Sequence, residues 1–170
     1  MKFSFEALTT ATPEAVWQHY ADVNNWFGWE DDLIAIHLDG PFEKGISGEM
    51  TLTGMPPMSF DLVEVTKNRS FCDETKIPGL GSLFFNHELT GTEQGTIIKH
   101  SVEFINLDAS DSQEQLGFLT QVFSDVPESI FALAKLATSS CWHLSQSMLT
   151  MLKNLSVFPL LKPIIFGIER

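Results

Sequence analysis

The sequence predicts an α+β domain in which a curved, seven-stranded antiparallel sheet wraps around a long C-terminal helix. Strand patterns between residues 33 and 106 follow one another through tight turns, with no helical pattern between them, which is typical of an antiparallel meander. A long helical pattern then covers about 114–137, and a single helix cannot bury its apolar face on itself. The concave side of a curved sheet is the obvious partner for this helix, and such an arrangement often leaves an internal space.

One strand and two short helices are predicted at the N-terminus. Residues 2–9, KFSFEALT, alternate between apolar and polar side chains, as a half-buried strand does. Thr12 suits an N-cap and Pro13 suits the first helical position, so a first helix is expected to begin there and to end near Asp22. The stretch NNWFGWEDD, residues 24–32, is expected to form a second short helix or a turn.

Six further strands and a broken helix follow. The strand patterns cover about 33–38, 48–53, 58–67, 69–77, 82–90 and 96–106. Within the helical pattern, Pro127 predicts a kink or a junction of two helices near Asp125, because proline interrupts helical hydrogen bonding. Another apolar helical pattern begins at 139, so we divide the chain into a domain at 1–138 and an extension at 139–170. Because this extension is so apolar, we expect it to pack on the same domain or to form a homodimer interface.

Composition and charge exclude several kinds of partner. The 170 residues favour one domain, and 44% of them are apolar, which is enough for a core. A formal charge of −12, from 10 basic and 22 acidic residues, would repel a nucleic-acid backbone and disfavours binding to an anionic membrane. No membrane-length apolar stretch and no apolar signal segment are present, so we expect a cytoplasmic location. Cys72 and Cys141 are interpreted as free buried thiols.

Three segments carry a resemblance to a known superfamily: TPEAVWQHYADVNNWFGWEDDL, EQGTIIKHSVEF and DVPESIFALAKLA. Over about residues 3–137 the chain resembles the SRPBCC, START-like or Bet v 1-like proteins, and the last segment resembles the closing helix of polyketide cyclase/dehydrase-like members. The resemblance implies a helix-grip fold with a deep apolar cavity. In such a fold the short helices cover one open end of the sheet, where Trp26, Phe27 and Trp29 would bury much apolar area. Trp29 is interpreted as structural, whereas Trp26 is a candidate ligand contact.

Two histidines are predicted to face the cavity. His87 shares a strand face with Leu83, Phe85 and Leu89, and His100 shares one with Ile98, Val102 and Phe104. The turn between the two strands fits more than one register, so the imidazoles are expected either to face each other or to lie diagonally. Each histidine is a candidate to orient a ligand, to act as a general base or simply to line the interior.

The predicted ligand-binding set combines these histidines with apolar residues. Met55 and Met58 belong to the loop GMPPM, which is expected at the cavity mouth because methionine adapts to irregular apolar shapes. The full set is Trp26, Met55, Met58, Phe60, Phe85, His87, His100 and Phe123. No metal is expected, since Cys141 and His143 would point apart on a helix. No cofactor is expected either, since Gly79 and Gly81 lie in a hairpin turn without a following helix.

Three functions remain open at this stage. The first is a carrier or sensor that binds a hydrophobic small molecule of the lipid, isoprenoid or aromatic polyketide type. The second is a polyketide cyclase/dehydrase-like enzyme that uses His87 or His100 as general acid or base. The third is a protein-interaction module similar to the Hsp90-activator branch of the superfamily.

Overall fold

A computed structural model describes residues 1–106 and 113–139. The strands are β1 (Lys2–Thr9), β2 (Leu33–Leu38), β3 (Ser47–Leu52), β4 (Met58–Thr66), β5 (Ser70–Ile77), β6 (Gly81–Thr92) and β7 (Gly95–Asn106). The helices are α1 (Pro13–Ala21), a 3₁₀ helix (Val23–Gly28), α2 (Gln113–Val122) and α3, residues 126–139. Their types and order confirm the predicted α+β fold.

All seven strands form one antiparallel sheet in the order β1-β7-β6-β5-β4-β3-β2. Strands β2 to β7 are a simple meander, because each pairs with the next along the chain. Strand β1 pairs with β7 at the far edge, so the two short helices must carry the chain from one edge of the sheet to the other. Helix α3 then packs on the inner face, where Leu133 lies in one apolar cluster with Phe71 and Ile98.

The N-terminal helices begin and end at side-chain caps. The Thr12 hydroxyl accepts a hydrogen bond from the Ala15 amide, and Pro13 occupies the start of α1, where a missing amide hydrogen costs nothing. The Asp22 carboxylate then accepts from the amide of Asn24 and starts the 3₁₀ helix. The predicted second short helix is therefore this tighter form.

The C-terminal helical region is divided where the sequence predicts a junction. Residues 123–125 are not helical, and α3 starts at Val126 with Pro127 in its first turn. Proline is tolerated there because amides in the first helical turn lack intrahelical acceptors. The backbone amide of Ser129 bonds the Asp125 carbonyl and closes the first turn of α3.

Two apolar clusters fill the space between the sheet and the helices. The ring cluster lies beneath α3 and the 3₁₀ helix and contains fully buried aromatic side chains, among them Tyr20, Phe60 and Phe71. The α2 cluster lies beneath α2 and is built on Leu83, Val102, Phe104 and Leu119. Several further members of the α2 cluster are only partly buried: Met1, Phe3, Ile77, Phe85, Val122, Phe123 and Val126.

Some predictions fall outside the described residues. The extension at 139–170 lies there except for its first residue, so its packing and the homodimer interface stay predictions, as does the state of Cys141. Cys72 is a buried free thiol. Across residues 1–106 and 113–139, no helix has both the length and the apolar character needed to cross a membrane.

Gly48 on β3 provides a test of sheet packing. A Cβ atom at this position would lie 2.5 Å from the Phe60 ring and 2.6 Å from the carbonyl oxygen of His37. We predict that Gly48→Ala lowers the free energy of unfolding by about 1–3 kcal/mol, because both neighbours would have to move. Chemical denaturation measures this change.

Gly117→Ala is the matched control, because Gly117 lies in α2 and a methyl group added to it would have no neighbouring atom within 4 Å in the described part of the chain. Alanine is the better helix former, so this variant should be neutral or more stable by up to about 1 kcal/mol. Equal stability of both variants would contradict the close contact at Gly48.

Candidate functional site

The two predicted histidines lie directly opposite each other on β6 and β7. The register pairs His87 with His100, and their ring centroids are 4.4 Å apart. Both are buried. His87 stacks on Phe71 with a centroid distance of 4.0 Å and an interplanar angle of 4°. Because aromatic rings surround it, the His87 imidazole is held in one orientation.

His100 is bonded to a fully buried tyrosine. The Tyr20 hydroxyl lies 2.8 Å from His100 Nε2. Burial lowers the pKa of His100 well below its usual value, and nearby His87 lowers it further. Burial raises the pKa of Tyr20 well above 10, with Glu30 adding to the effect. Both groups are therefore neutral at pH 7, and the tautomer of His100 decides whether the phenol or Nε2 donates this hydrogen bond.

A buried carboxyl group adjoins His87. Asp73 lies on β5 between Phe71 and Thr75 on the inner face, and it is only 2% exposed. Burial raises its pKa to about 7. Its Oδ1 atom is 3.9 Å from His87 Nδ1, which is too long for a hydrogen bond. Burial lowers the pKa of His87 to about 3, so its imidazole is neutral and this pair is not an ion pair at pH 7.

Three buried polar atoms of the inner face and its covering helices have no hydrogen-bond partner in the described part of the chain. They are Trp29 Nε1, Thr75 Oγ1 and His87 Nδ1. An unpaired buried donor or acceptor costs about 1–3 kcal/mol, so such atoms are rare in native proteins. Three of them in one interior indicate a place where a polar group of a ligand would find hydrogen-bond partners.

The predicted ligand-binding residues separate into three groups. Trp26 and Phe60 stack in the ring cluster, at 6.4 Å and 25°. His87 and His100 contact this cluster through the rings of Trp26 and Trp29. Phe85 and Phe123 lie in the α2 cluster and are partly buried. Met58 is half-buried at the start of β4, whereas Met55 is 52% exposed in the preceding turn. Contact of any of these residues with a ligand stays a prediction.

Of the three aromatic residues expected to be buried at the open end of the sheet, Trp26 and Trp29 are buried and Phe27 is not. Trp26 and Trp29 are buried in the ring cluster, and the indole of Trp26 donates to the Tyr20 carbonyl. Phe27 is 49% exposed instead of filling the end of the sheet. The 3₁₀ helix explains the difference, because residues next to each other in it point in different directions and only one can face inward.

Asp73 is not among the residues predicted for the site, although the sequence carries a signal for it. In SFCDETKI, the face shared by Phe71 and Thr75 is the inner one, and Asp73 lies between them on that face. Its neighbours Cys72 and Glu74 point to the other side. An acid at an inward position of a central strand is costly unless it serves a purpose.

A second acidic group joins α3 to the segment before β2. Oxygen atoms of Glu30, Asp32 and Asp125 lie within 4.8 Å of one another, and the Ser129 hydroxyl donates to Glu30 Oε2 at 3.2 Å. Burial raises the pKa of Glu30, the charge of Asp125 raises it further and the Ser129 hydrogen bond opposes both, which together bring the pKa to about 8. A proton on Glu30 at neutral pH therefore relieves repulsion among the three carboxyl groups.

Two depressions on the outer surface are formed by described residues, with volumes of about 360 and 340 Å³. The larger is lined by residues of β5, β6 and β7 such as Ile77, Phe84 and Ile105, and the smaller by residues around Phe42. Neither contains His87, His100 or Asp73. Neither depression is therefore the predicted internal cavity, which stays a prediction.

Comparison with known proteins identifies the fold. No family model and no curated protein matches the chain. Among solved structures, Ara h 8.0201 matches with a TM-score of 0.65 at 13% identity, over 82% of this chain and 98% of that one. A protein of unknown function from Staphylococcus aureus, SA2116, matches with a TM-score of 0.66 at 10% identity, over 84% and 96%. The di-domain ARO/CYC StfQ matches with a TM-score of 0.69 at 8% identity, over 82% and 51%.

These likenesses define a class of fold. The chain has the helix-grip fold shared by Bet v 1-like and other SRPBCC-type proteins, which confirms the fold that the resemblance implied. At such low identities the comparisons establish the architecture alone.

Replacing either of two buried threonines, Thr75 and Thr96, by valine should change the free energy of unfolding in opposite directions. Thr75 Oγ1 has no partner among the described residues, whereas Thr96 Oγ1 donates to the Ala11 carbonyl at 2.7 Å in a fully buried site. We predict that Thr75→Val raises the free energy of unfolding by about 1 kcal/mol and that Thr96→Val lowers it by about 1–2 kcal/mol. Urea denaturation measures both. A loss of stability in Thr75→Val would show that its hydroxyl is hydrogen-bonded to water.

Glu30 predicts a pH dependence of stability. Its pKa is higher in the folded chain, about 8, than its ordinary value of 4.5, so the folded state holds the proton more tightly. The corresponding stability is present below about pH 4.5 and is lost as pH rises through about 8. We expect Glu30→Gln to lack this loss. The free energy of unfolding of the variant, minus that of the wild-type protein, should therefore increase between pH 5 and pH 8.

Urea denaturation of both chains at several pH values gives the difference directly, and contributions of His87 and His100, which do not act on the pKa of Glu30, cancel in it. Parallel stability curves for the two chains would exclude a buried, protonated Glu30.

Proposed function

We propose that the chain binds a hydrophobic small molecule between the sheet and helix α2, as a carrier or sensor. The observation that supports this best is the incomplete burial of the α2 cluster. Phe85 and Phe123 face the interior, yet both are only partly buried. Apolar side chains that face inward and remain accessible form the kind of lining that ligand sites have.

The ring cluster is a less suitable place for a ligand. Tyr20 is fully buried and Phe60 and Phe71 are each 1% exposed, and their rings contact one another and the histidines. Space for a ligand is therefore expected at the α2 end, and uptake is expected to require movement of α2. Because residues 123–125 are not helical, we expect α2 to be able to move while α3 stays in place.

Apolar burial would supply most of the affinity. A ligand that buries about 200 Å² of apolar surface gains roughly 5 kcal/mol before the cost of ordering is subtracted. Two proteins with this fold support a small organic ligand: StfQ, described as an ARO/CYC of the steffimycin biosynthetic pathway, and DynU16, a putative protein of the dynemicin biosynthetic locus. DynU16 matches with a TM-score of 0.62 at 14% identity.

A second candidate function is acid–base catalysis in the same interior. The observation that favours it is the proximity of a neutral imidazole, His87, to the Asp73 carboxyl group, whose pKa of about 7 suits proton transfer near neutrality. In an enzyme, His87→Ala would abolish turnover while the fold survives. In a carrier the same variant would change affinity or selectivity only.

Ligand binding is tested by a thermal-shift screen of lipids, isoprenoids and aromatic polyketides, with native mass spectrometry of the purified chain. We expect at least one apolar compound to raise Tm, because a ligand that binds only the folded state stabilises it. Phe85→Ala should weaken binding of that compound about tenfold or more, which is a loss of about 1.4 kcal/mol.

Phe27→Ala is the matched control, because Phe27 is half-exposed and lies outside both apolar clusters. It should leave the affinity unchanged. Absence of any stabilising compound, or equal affinity of Phe85→Ala and the unchanged chain, would reject the proposed site.

A further inference from the structure

We propose that His87 and Asp73 together bind a hydroxyl group of the ligand, so that the preferred ligand is a neutral, hydroxyl-bearing hydrophobic molecule. This inference rests on the proposed function and specifies its ligand. It is supported by the spacing of two side-chain atoms, by the fixed position of the imidazole and by the charge of the surroundings.

The spacing fits one oxygen atom. Nδ1 of His87 and Oδ1 of Asp73 are 3.9 Å apart. An oxygen atom at a hydrogen-bonding distance of about 2.8 Å from both would have an angle of about 90° between the two bonds, which a hydroxyl accommodates. His87 Nδ1 is buried and makes no well-formed hydrogen bond within the described chain, although the Phe85 backbone lies close enough to act on the pKa of the imidazole.

Both side chains are held in place before a ligand binds. His87 stacks flat on Phe71 and contacts the rings of Tyr20 and His100. Asp73 is 2% exposed on a central strand. Binding a hydroxyl would therefore require little ordering of side chains, which favours affinity and selectivity.

The surroundings select a neutral group. A ligand carboxylate would meet the Asp73 carboxyl group, with Glu30 close enough to affect the same site. A ligand ammonium would lose its hydration in an apolar interior, with only Asp73 to compensate. A hydroxyl both donates and accepts, so it satisfies His87 and Asp73 whether or not Asp73 carries a proton.

The position of Asp73 also sets the orientation of the ligand. Asp73 pairs with Phe85 across β5 and β6, and Phe85 belongs to the α2 cluster. His87 lies in the ring cluster on the other side. The hydroxyl end therefore points toward the histidines, and the apolar body lies among the partly buried residues beneath α2.

Matched probes test this inference: 2-naphthol against 2-methylnaphthalene, and phenol against toluene. The members of each pair have nearly the same shape and differ in the hydroxyl. We expect the unchanged chain to bind the hydroxyl member about tenfold or more tightly in calorimetric titration, since a site with unpaired polar groups rejects the analogue that lacks a partner.

Two variants remove the polar partners separately. His87→Phe keeps a ring to stack on Phe71, and Asp73→Leu keeps a side chain of similar size, so either one suffices if the other fails to fold. Each should abolish the hydroxyl preference while the methyl member still binds. Cys72→Ala is the control, because Cys72 lies between Phe71 and Asp73 but points to the opposite face of β5, and it should keep the preference.

The outcomes separate the two proposals. If both members of a pair bind equally to the unchanged chain, the hydrophobic site stands and the hydroxyl site is rejected. If the hydroxyl preference survives in His87→Phe and Asp73→Leu, the hydroxyl is bound elsewhere and this inference is again rejected. If no member of either pair binds although a compound of the thermal-shift screen does, this inference alone is rejected; if no compound of either set binds, the proposed function fails with it.

Discussion

The interior depends on the hydrogen bond between Tyr20 and His100. It joins α1, on the cover of the sheet, to β7, which lies next to the edge strand β1, and it satisfies a phenol and an imidazole that are both buried. Without it, two polar groups would lie unpaired among aromatic rings, at a cost of about 1–3 kcal/mol each. The rings of Trp17, Trp29 and Phe71 pack against Tyr20, so this bond and the packing around it together position the N-terminal helices on the sheet.

The two ends of the interior have different physical characters. Beneath α3, aromatic side chains fill the space and hold His87 in one orientation. Beneath α2, inward-facing phenylalanines such as Phe85 remain partly accessible. Asp73 lies between these two regions and, with a pKa of about 7, changes charge close to neutral pH. A chain with a formal charge of −12 thus keeps an interior of nearly neutral groups at pH 7.

Much of this fold could be predicted from local patterns in the sequence. Alternating residues identify the inner face of β6 and β7, and Pro127 identifies the junction between α2 and α3, because both signals act within a few residues. The pairing of His87 with His100 could not be fixed, since the turn between the strands permits several registers. The Glu30, Asp32 and Asp125 group was also not predictable, because it forms only when α3 packs beside the segment before β2.

The junction at residues 123–125 has a consequence for how the domain opens. Helical hydrogen bonding does not run continuously from α2 into α3, so each helix has its own stability against local unfolding. The ring cluster is covered by α1, the 3₁₀ helix and α3, whereas the α2 cluster is covered mainly by α2. Amide hydrogens of α2 will therefore exchange with solvent through a local opening of lower free energy, while those of α3 and β7 exchange only when the whole domain unfolds.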